Sequence, residues 1–356
     1  MSGRLGSYFA LTKPGVVILL QITGICSVMA HDLLELGGLT GNTARTISVI
    51  LIGGYLTAGG ANSINMWYDR DIDPLMSRTA NRPIPAGEIK PLSALIFGLL
   101  MSLIGTLWLY VMANPVAAFW ASFSVIFYVF VYSVWLKRTS PQNIVIGGIA
   151  GSTPPLVGWS ASEQSLDLST DSIQSILESV TEIGSMMPWL MFLVIFLWTP
   201  PHFWALALYK SKEYREVGVP MMPNVKGKSR TILEMKIYAV ALMVVSLYAP
   251  VANGHLDDDD TLFHVLRWSC FILSGWYAST VWRIDIHERL DEKGRMPTAA
   301  RSFFFSLYYL AMFFLLLVSS SWSLQISFIG ITICIGIIFR LESDIKSKQK
   351  VLGLSN

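Results

Sequence analysis

The amino-acid sequence predicts an all-α, polytopic transmembrane helix bundle with nine core helices and a tenth C-terminal span. Of the 356 residues, 53% are hydrophobic and 14% are charged, and the mean hydropathy is +0.52. Soluble domains have roughly 45–50% apolar and about 25% charged residues. The chain is therefore predicted to be an integral membrane protein whose main partner is the lipid bilayer.

Apolar runs of about 17 to 22 residues, long enough to cross the hydrocarbon core, predict the individual spans. Ten such runs lie near residues 15–31, 46–66, 92–112, 115–135, 142–160, 188–208, 232–251, 261–281, 302–320 and 323–340.

The distribution of Lys and Arg supports this map independently. Residues 113–114, 161–187 and 252–260 contain neither residue type, and 32–45 contains only Arg45, whereas the alternate connections are basic. Because cytoplasmic loops collect Lys and Arg, both termini are predicted to be cytoplasmic, in a multi-pass protein of the cell membrane. Since topology accounts for the basic residues, the net charge of +2 gives no reason to expect a nucleic-acid partner.

A polar row at the end of the second span suggests a metal site. Asn65, Asp69 and Asp73 are four residues apart, so on a continuous helix they would share one face. Carboxylates at this spacing repel one another, and at a membrane boundary they need a cation among them. Asp71 would point away, and we interpret it as a partner for a neighbouring arginine.

A second polar loop follows the sixth span and is predicted to lie on the same side of the membrane. Its Glu213 could join Asn65, Asp69 and Asp73 as an oxygen ligand of Mg²⁺, which is commonly held by one or two carboxylates and substrate phosphate oxygens. Four basic residues of the predicted cytoplasmic connections are candidate diphosphate-binding groups. They are Arg78, Arg82, Lys137 and Lys212. The alternative is that both are ordinary charged loops beside membrane spans.

His202 lies near the inner end of the sixth span, in an apolar stretch with Phe203 and Trp204 as neighbours. A lone helical histidine can be a hydrogen-bonded core residue. Within a membrane, however, ionisable groups are rare and usually face a cavity. The aromatic neighbours would suit a large, flat, apolar ligand.

Five segments together resemble the UbiA-type intramembrane prenyltransferases, and within them the haem-farnesylating branch, the protoheme IX farnesyltransferases or haem O synthases. The segments are YFALTKPGVVILLQITG, NMWYDRDIDPLMSRTANRPIPAG, KRTSPQNIVIGGIAGSTPPLVGW, WTPPHFWALAL and KEYREVGVPMMPNVKG. On this resemblance residues 1–320 form the prenyltransferase domain. The acidic extracytoplasmic insertion at 161–187, indicated by the charge pattern, has no clear counterpart in the family. Residues 321–356 add a transmembrane span and a basic tail.

The resemblance implies a Mg²⁺-dependent transfer of farnesyl from farnesyl diphosphate to a vinyl group of haem b, giving haem O. It implies that Asn65, Asp69 and Asp73 hold Mg²⁺ and diphosphate, and that His202 contacts haem. It also implies hand-over of the product to a haem A synthase or a terminal oxidase. The chain departs from the family pattern at Val217, where related enzymes carry a second aspartate, and at Gly15, where an arginine is frequent.

Three other functions stay open at this stage. A prenyltransferase acting on a quinone or another aromatic acceptor would share the metal site and differ in the acceptor pocket. A non-catalytic haem or lipid carrier would have no need of a metal cluster. A secondary transporter would show an inverted repeat with broken helices near the bilayer midplane, and the sequence shows no convincing internal duplication.

Overall fold

The computed structural model describes residues 3–76, 79–211, 218–254, 260–291 and 294–351, and every regular element within these ranges is helical. The thirteen longer helices are α1 Arg4–Leu11, α2 Pro14–Glu35, α3 Gly41–Tyr68, α4 Pro91–Met112, α5 Pro115–Ile126, α6 Asn143–Ser152, α7 Pro154–Ser162, α8 Ile173–Thr181, α9 Met187–Tyr209, α10 Lys228–Ser246, α11 Thr261–Trp282, α12 Pro297–Trp322 and α13 Leu324–Val351. The all-α prediction is confirmed.

Seven helical stretches in the described ranges are long and apolar enough to cross a membrane, which makes this a multi-pass membrane protein. They are Pro14–Glu35, Gly41–Asp71, Pro91–Met112, Pro115–Thr139, Met187–Tyr209, Pro297–Trp322 and Leu324–Asp344. Two further predicted spans coincide with α10 and α11. The predicted span at 142–160 is instead two helices, α6 and α7, because Pro154 lacks the N–H that would continue the first helix.

The helices pack side by side in a ring. Following the contacts, α2 packs against α3, α3 against α4, α4 against α5, and α5 against α6 and α7. The ring continues from α6 to α9, α10, α11 and α12, and α12 closes it on α2. The tenth predicted span, α13, lies outside the ring against α12. Within the described ranges this order matches nine core spans plus one peripheral helix.

Helices α3 and α4 approach each other closely through small residues. A Cβ atom added to Gly60 would lie 2.6 Å from the Gly98 carbonyl oxygen, and one added to Gly98 would lie 2.9 Å from the Gly60 carbonyl oxygen. Both distances are too short for a side chain. Small residues that let two backbones approach are typical of helix pairs in membranes, and this pair holds α3, which carries the candidate site.

The 161–187 insertion contains the short helix α8 and is attached to the bundle by hydrogen bonds from tryptophans. The indole nitrogens of Trp120, Trp159 and Trp189 donate to backbone carbonyls between residues 180 and 183, at 3.0 to 3.2 Å. A buried indole N–H needs such an acceptor. The insertion therefore covers the end of the bundle opposite to the one at which α3 ends.

Candidate active site

Helix α3 ends at Tyr68, so the predicted continuous helix from Asn65 to Asp73 is wrong in its second half. Two short 3-10 turns follow, Asp69–Asp71 and Asp73–Leu75. The residue before a proline disfavours the α conformation, and Pro74 directly follows Asp73. Asp73 is therefore placed by a turn of the chain and not by helical periodicity.

The three predicted metal-ligating side chains of this segment are nevertheless buried at one end of the bundle. Asp69 has no accessible surface, and Asn65 and Asp73 are each 3% exposed. The hydroxyl of Thr79 donates to the Asp73 backbone carbonyl at 2.7 Å and holds the turn in place. Burying carboxylates is costly unless cations accompany them.

The two buried carboxylates are each paired with a basic side chain that the sequence proposed as a phosphate ligand. Lys137 forms an ion pair with Asp69. Arg82 donates from Nη1 to both carboxylate oxygens of Asp73, at 2.8 Å each. In addition, Oδ1 of Asp69 is buried and lacks a hydrogen-bond partner in the part of the chain that the structure describes. The structure thus brings together Asn65, Asp69, Asp73, Arg82 and Lys137.

A third cation at the site, Lys13, was missed by sequence reasoning as a functional residue. Its ammonium donates to Asn65 Oδ1 at 2.7 Å, and the Asn65 amide in turn donates to Ser133 Oγ at 3.0 Å. Lys13 immediately precedes Pro14 at the start of α2, and its position within the LTKPG segment was the available signal. It provides the basic contact from the first long helix that Gly15 does not.

The backbone and the electrostatics of Lys13 are both unusual. It has φ 51° and ψ 61°, the left-handed conformation that non-glycine residues rarely adopt. Although the residue as a whole is half-buried, burial of its ammonium end, with the nearby charges of Arg82 and Lys137, lowers the pKa of Lys13 to about 7, against opposing effects of Asp69 and Asp73. The ammonium therefore lies within electrostatic range of all four charged side chains.

A long π-type helical stretch places Ser133 and Lys137. Helix α5 continues without a break as a π-helix over Phe127–Leu136 and ends in the turn Lys137–Thr139. π-helices are rare and usually a single turn, and they occur often at functional sites. Nothing in the apolar sequence of this stretch distinguishes it from an α-helix.

Asp71 is excluded from the buried cluster, as the sequence indicated. It faces outward and forms a two-point ion pair with Arg138, with nitrogen to oxygen distances of 2.7 Å. The Arg138 guanidinium also lies over the Tyr68 ring, 4.6 Å from its centroid. The prediction that Asp71 pairs with a neighbouring arginine is confirmed.

The residues of the cluster have the chemistry that Mg²⁺ requires. Asn65, Asp69 and Asp73 offer carbonyl and carboxylate oxygens, the ligands that Mg²⁺ prefers. In the described ranges no three His, Cys, Asp or Glu side chains gather closely enough to hold a metal ion by themselves. Mg²⁺ commonly uses only one or two carboxylates and takes further oxygens from substrate phosphate, so the residues present fit a metal that arrives with a diphosphate.

The other predicted residues of these loops lie outside the described residues. They are Arg78 and Lys212, proposed for diphosphate, and Glu213, proposed as a metal ligand. Asn143 is buried and donates to the Ser140 carbonyl at 2.7 Å.

His202 lies in α9, clamped between two aromatic rings. Its ring stacks on Trp198 at a centroid distance of 4.2 Å and on Phe303 at 4.6 Å, with interplanar angles of 21° and 28°. Its Nδ1 lies 2.5 Å from Ser306 Oγ, and the residue is 6% exposed. Trp198 is one turn earlier in the same helix, whereas Phe303 and Ser306 come from α12 and could not be inferred from the neighbouring sequence.

A family model described as the UbiA prenyltransferase family matches residues 33–258. A protein of Bartonella tribocorum named protoheme IX farnesyltransferase is 40% identical over 310 residues, 87% of this chain and 89% of the relative. The chain belongs to the UbiA prenyltransferase family. A Mesorhizobium japonicum protein named protoheme IX farnesyltransferase 2 is likewise 40% identical over 312 residues, 87% of this chain and 88% of that protein.

Solved structures of UbiA prenyltransferases share the fold. A structure described as digeranylgeranylglyceryl phosphate synthase has a TM-score of 0.64 at 16% identity and covers 90% of this chain and 99% of its own. A UbiA homologue from Archaeoglobus fulgidus, bound to DMAPP and Mg²⁺, has a TM-score of 0.57 at 14% identity and covers 88% and 99%. At these identities the likeness establishes the helical architecture of the family.

Proposed function

We propose that this UbiA-family protein transfers the farnesyl group of farnesyl diphosphate to a vinyl group of haem b and so produces haem O. The observation that carries the proposal is the 40% identity, over most of both chains, to relatives named protoheme IX farnesyltransferase. The reaction breaks the allylic C–O bond of the diphosphate and forms a C–C bond to the vinyl carbon. Water supplies the hydroxyl group of the product, and one proton and diphosphate are released.

The buried polar cluster would be the diphosphate site. Asn65, Asp69 and Asp73 would hold Mg²⁺, which when bound stabilises the negative charge that develops on the departing diphosphate. Glu213 would add a further metal ligand, and the basic residues Arg78 and Lys212 would bind the diphosphate. These roles rest on the oxygen-donor chemistry and burial of the cluster and on the family's prenyltransferase activity.

The three cations of the cluster would bind the diphosphate itself. Lys13, Arg82 and Lys137 already contact the oxygens of Asn65, Asp73 and Asp69. Lysine binds phosphate as a point charge and arginine through a planar donor array. Together the cations would neutralise the charge of the diphosphate leaving group. They would also hold the substrate with its allylic carbon toward the inside of the helix bundle.

The haem substrate would be held by His202. Its aromatic clamp of Trp198 and Phe303, near the inner end of α9, suits a flat, apolar substrate. Imidazole is a common ligand of haem iron.

The orientation and division of the chain follow the charge pattern of the sequence. We infer a cell-membrane protein with both termini and the buried cluster on the cytoplasmic side. Residues 1–320 would be the prenyltransferase domain, with 161–187 as its extracytoplasmic insertion, and residues 321–356 an added span and basic tail. Its product would pass to a haem A synthase or a terminal oxidase.

The decisive experiment incubates purified full-length protein with haem b, farnesyl diphosphate and Mg²⁺ and analyses the haem fraction by mass spectrometry. We expect a haem carrying one farnesyl group and one added water. Unmodified haem beside a prenylated quinone, in a reaction that contains both acceptors, would show a quinone prenyltransferase instead. Binding of haem with no prenylated product from any acceptor would show a carrier.

A further inference from the structure

The His202 ring is held on both faces and at Nδ1, and Phe203 makes a further edge-on contact at a centroid distance of 5.0 Å. Trp198 and Phe303 stack on the two faces, and Ser306 contacts Nδ1. The Trp198 indole nitrogen also donates to the Ser306 backbone carbonyl at 2.9 Å. One turn of α12 therefore fixes both the ring plane and its Nδ1 edge.

The hydroxyl of Ser306 has a single hydrogen, which can go either to a backbone carbonyl or to His202. Ser306 Oγ donates to the Phe303 backbone carbonyl at 2.6 Å, and a carbonyl oxygen can only accept. The hydroxyl oxygen therefore turns a lone pair toward His202, which lies 2.5 Å away. In the arrangement in which the hydrogen is on the Phe303 carbonyl, Nδ1 carries the imidazole proton and donates it to Ser306 Oγ.

This tautomer leaves Nε2 without a proton. In the described part of the chain, Nε2 has no hydrogen-bond partner, since the only hydrogen bond of His202 there is the one at Nδ1. In neutral imidazole one nitrogen is a donor and the other carries a free lone pair. Which nitrogen can ligate a metal is set by the hydrogen bond that the other makes.

We propose that Ser306 is a positioning residue that fixes the Nδ1–H tautomer of His202 and so presents Nε2 to the iron of the haem substrate. That haem is the ligand of His202 rests on the proposed function. The tautomer of His202 is argued from the hydrogen bonds of Ser306 and does not depend on that function. Ser306 acts through His202 and has no contact with haem in this proposal.

The test measures ferric haem b binding to the full-length protein in detergent, by titration of the Soret absorbance and by electron paramagnetic resonance. The variants are Ser306→Ala, Ser306→Thr and His202→Ala. Ser302→Ala is the matched control because Ser302 is equally buried one turn earlier in α12 but pairs with Thr280 at 3.3 Å. Gel filtration and thermal unfolding establish that each variant is folded.

We expect His202→Ala to lose the histidine-ligated spectrum. We expect Ser306→Ala to weaken haem binding by about 10-fold to 100-fold, as for loss of other groups that orient a metal ligand, and to change the ligand-field signals. Ser306→Thr, which keeps the hydroxyl, and Ser302→Ala should retain the wild-type spectrum.

The inference is overturned if Ser306→Ala binds haem with wild-type affinity and spectrum, or if Ser302→Ala weakens binding as much as Ser306→Ala does. A parallel farnesylation assay separates this inference from the proposed function. If the wild-type protein makes haem O and Ser306→Ala binds haem normally, only the role of Ser306 fails. If the wild-type protein makes no farnesylated haem, the proposed function fails and the binding data still decide the role of Ser306.

Discussion

Lys137 at the end of the π-helical stretch pairs with Asp69 at the end of α3, a carboxylate that has no accessible surface. The pairing joins two helices at the end of the bundle where the other charged side chains of the cluster also lie. An unpaired charge at Asp69 would be strongly unfavourable, because breaking a buried ion pair typically costs about 3–5 kcal/mol. The ion pair with Lys137 therefore stabilises the buried carboxylate when no metal ion is bound.

Replacing Asp69 by Asn should remove farnesyl transfer in a protein that still folds but has a lower Tm, because Lys137 loses its ion-pair partner. The variant keeps the shape of the side chain but loses the charge that would hold Mg²⁺, and we expect product formation to fall by at least about 100-fold, the usual scale for one electrostatic catalytic group. The measurement is the amount of farnesylated haem by mass spectrometry, with gel filtration to check the fold.

Asp71→Asn is the control for that variant. Asp71 lies two residues away, and its side chain is 57% exposed in the pair with Arg138. Loss of an exposed ion pair changes stability by about 1 kcal/mol or less, and activity should stay near the wild-type level. Equal losses of product in the two variants would contradict the assignment of the buried cluster.

Lys13→Met should raise the KM for farnesyl diphosphate. Lys13 contacts Asn65 and is proposed to bind diphosphate, and a hydrogen bond to a charged group contributes about 1.5–3 kcal/mol. We expect at least about a 10-fold rise in KM, read from initial rates at varied substrate. Lys90→Met, at an exposed lysine that starts α4, should leave KM unchanged. The role of Lys13 is wrong if both variants behave alike.

Removal of divalent cations should stop the reaction without releasing haem. We expect EDTA to abolish haem O formation and added Mg²⁺ to restore it, because Mg²⁺ is proposed to act only on the diphosphate. Haem binding, followed by Soret absorbance in the same samples, should persist in EDTA. Full activity in the presence of the chelator would rule out the metal at Asn65, Asp69 and Asp73.

Gly60→Ala should destabilise the bundle through α3 and α4. The added Cβ would lie 2.6 Å from the Gly98 carbonyl oxygen, and overpacking a close contact typically costs about 1–3 kcal/mol. Thermal unfolding in one detergent should show a lower Tm. Gly15→Ala is the matched control, since nothing lies within 4 Å of its added Cβ. The close-packing argument fails if the two Tm values shift equally.

The spans and the buried cluster could be predicted from the sequence because they depend on local properties. Apolar run length determined the helices of the ring, and the cost of placing Asn65, Asp69 and Asp73 at a membrane boundary indicated that cations would accompany them. The structure places Arg82 and Lys137 at this cluster.

Three features could not be predicted, each because it depends on distant parts of the chain or on a departure from helical periodicity. Lys13 reaches Asn65 across the interface of α2 and α3, and Phe303 reaches His202 from α12. Asp73 was predicted to share a face with Asn65 on a continuous α-helix of 3.6 residues per turn, but that helix ends at Tyr68.

The ten residues of Phe127–Leu136 also act as a spacer of fixed length. In an α-helix each residue adds about 100° of rotation and 1.5 Å of rise. Deleting one residue there, so that the wider coil relaxed to an ordinary α-helix, would swing Ser133 and Lys137 away from Asn65 and Asp69. The shortened segment would still be apolar and long enough to span the bilayer. Tolerance of insertions and deletions in this segment should therefore be limited by catalysis and not by membrane insertion.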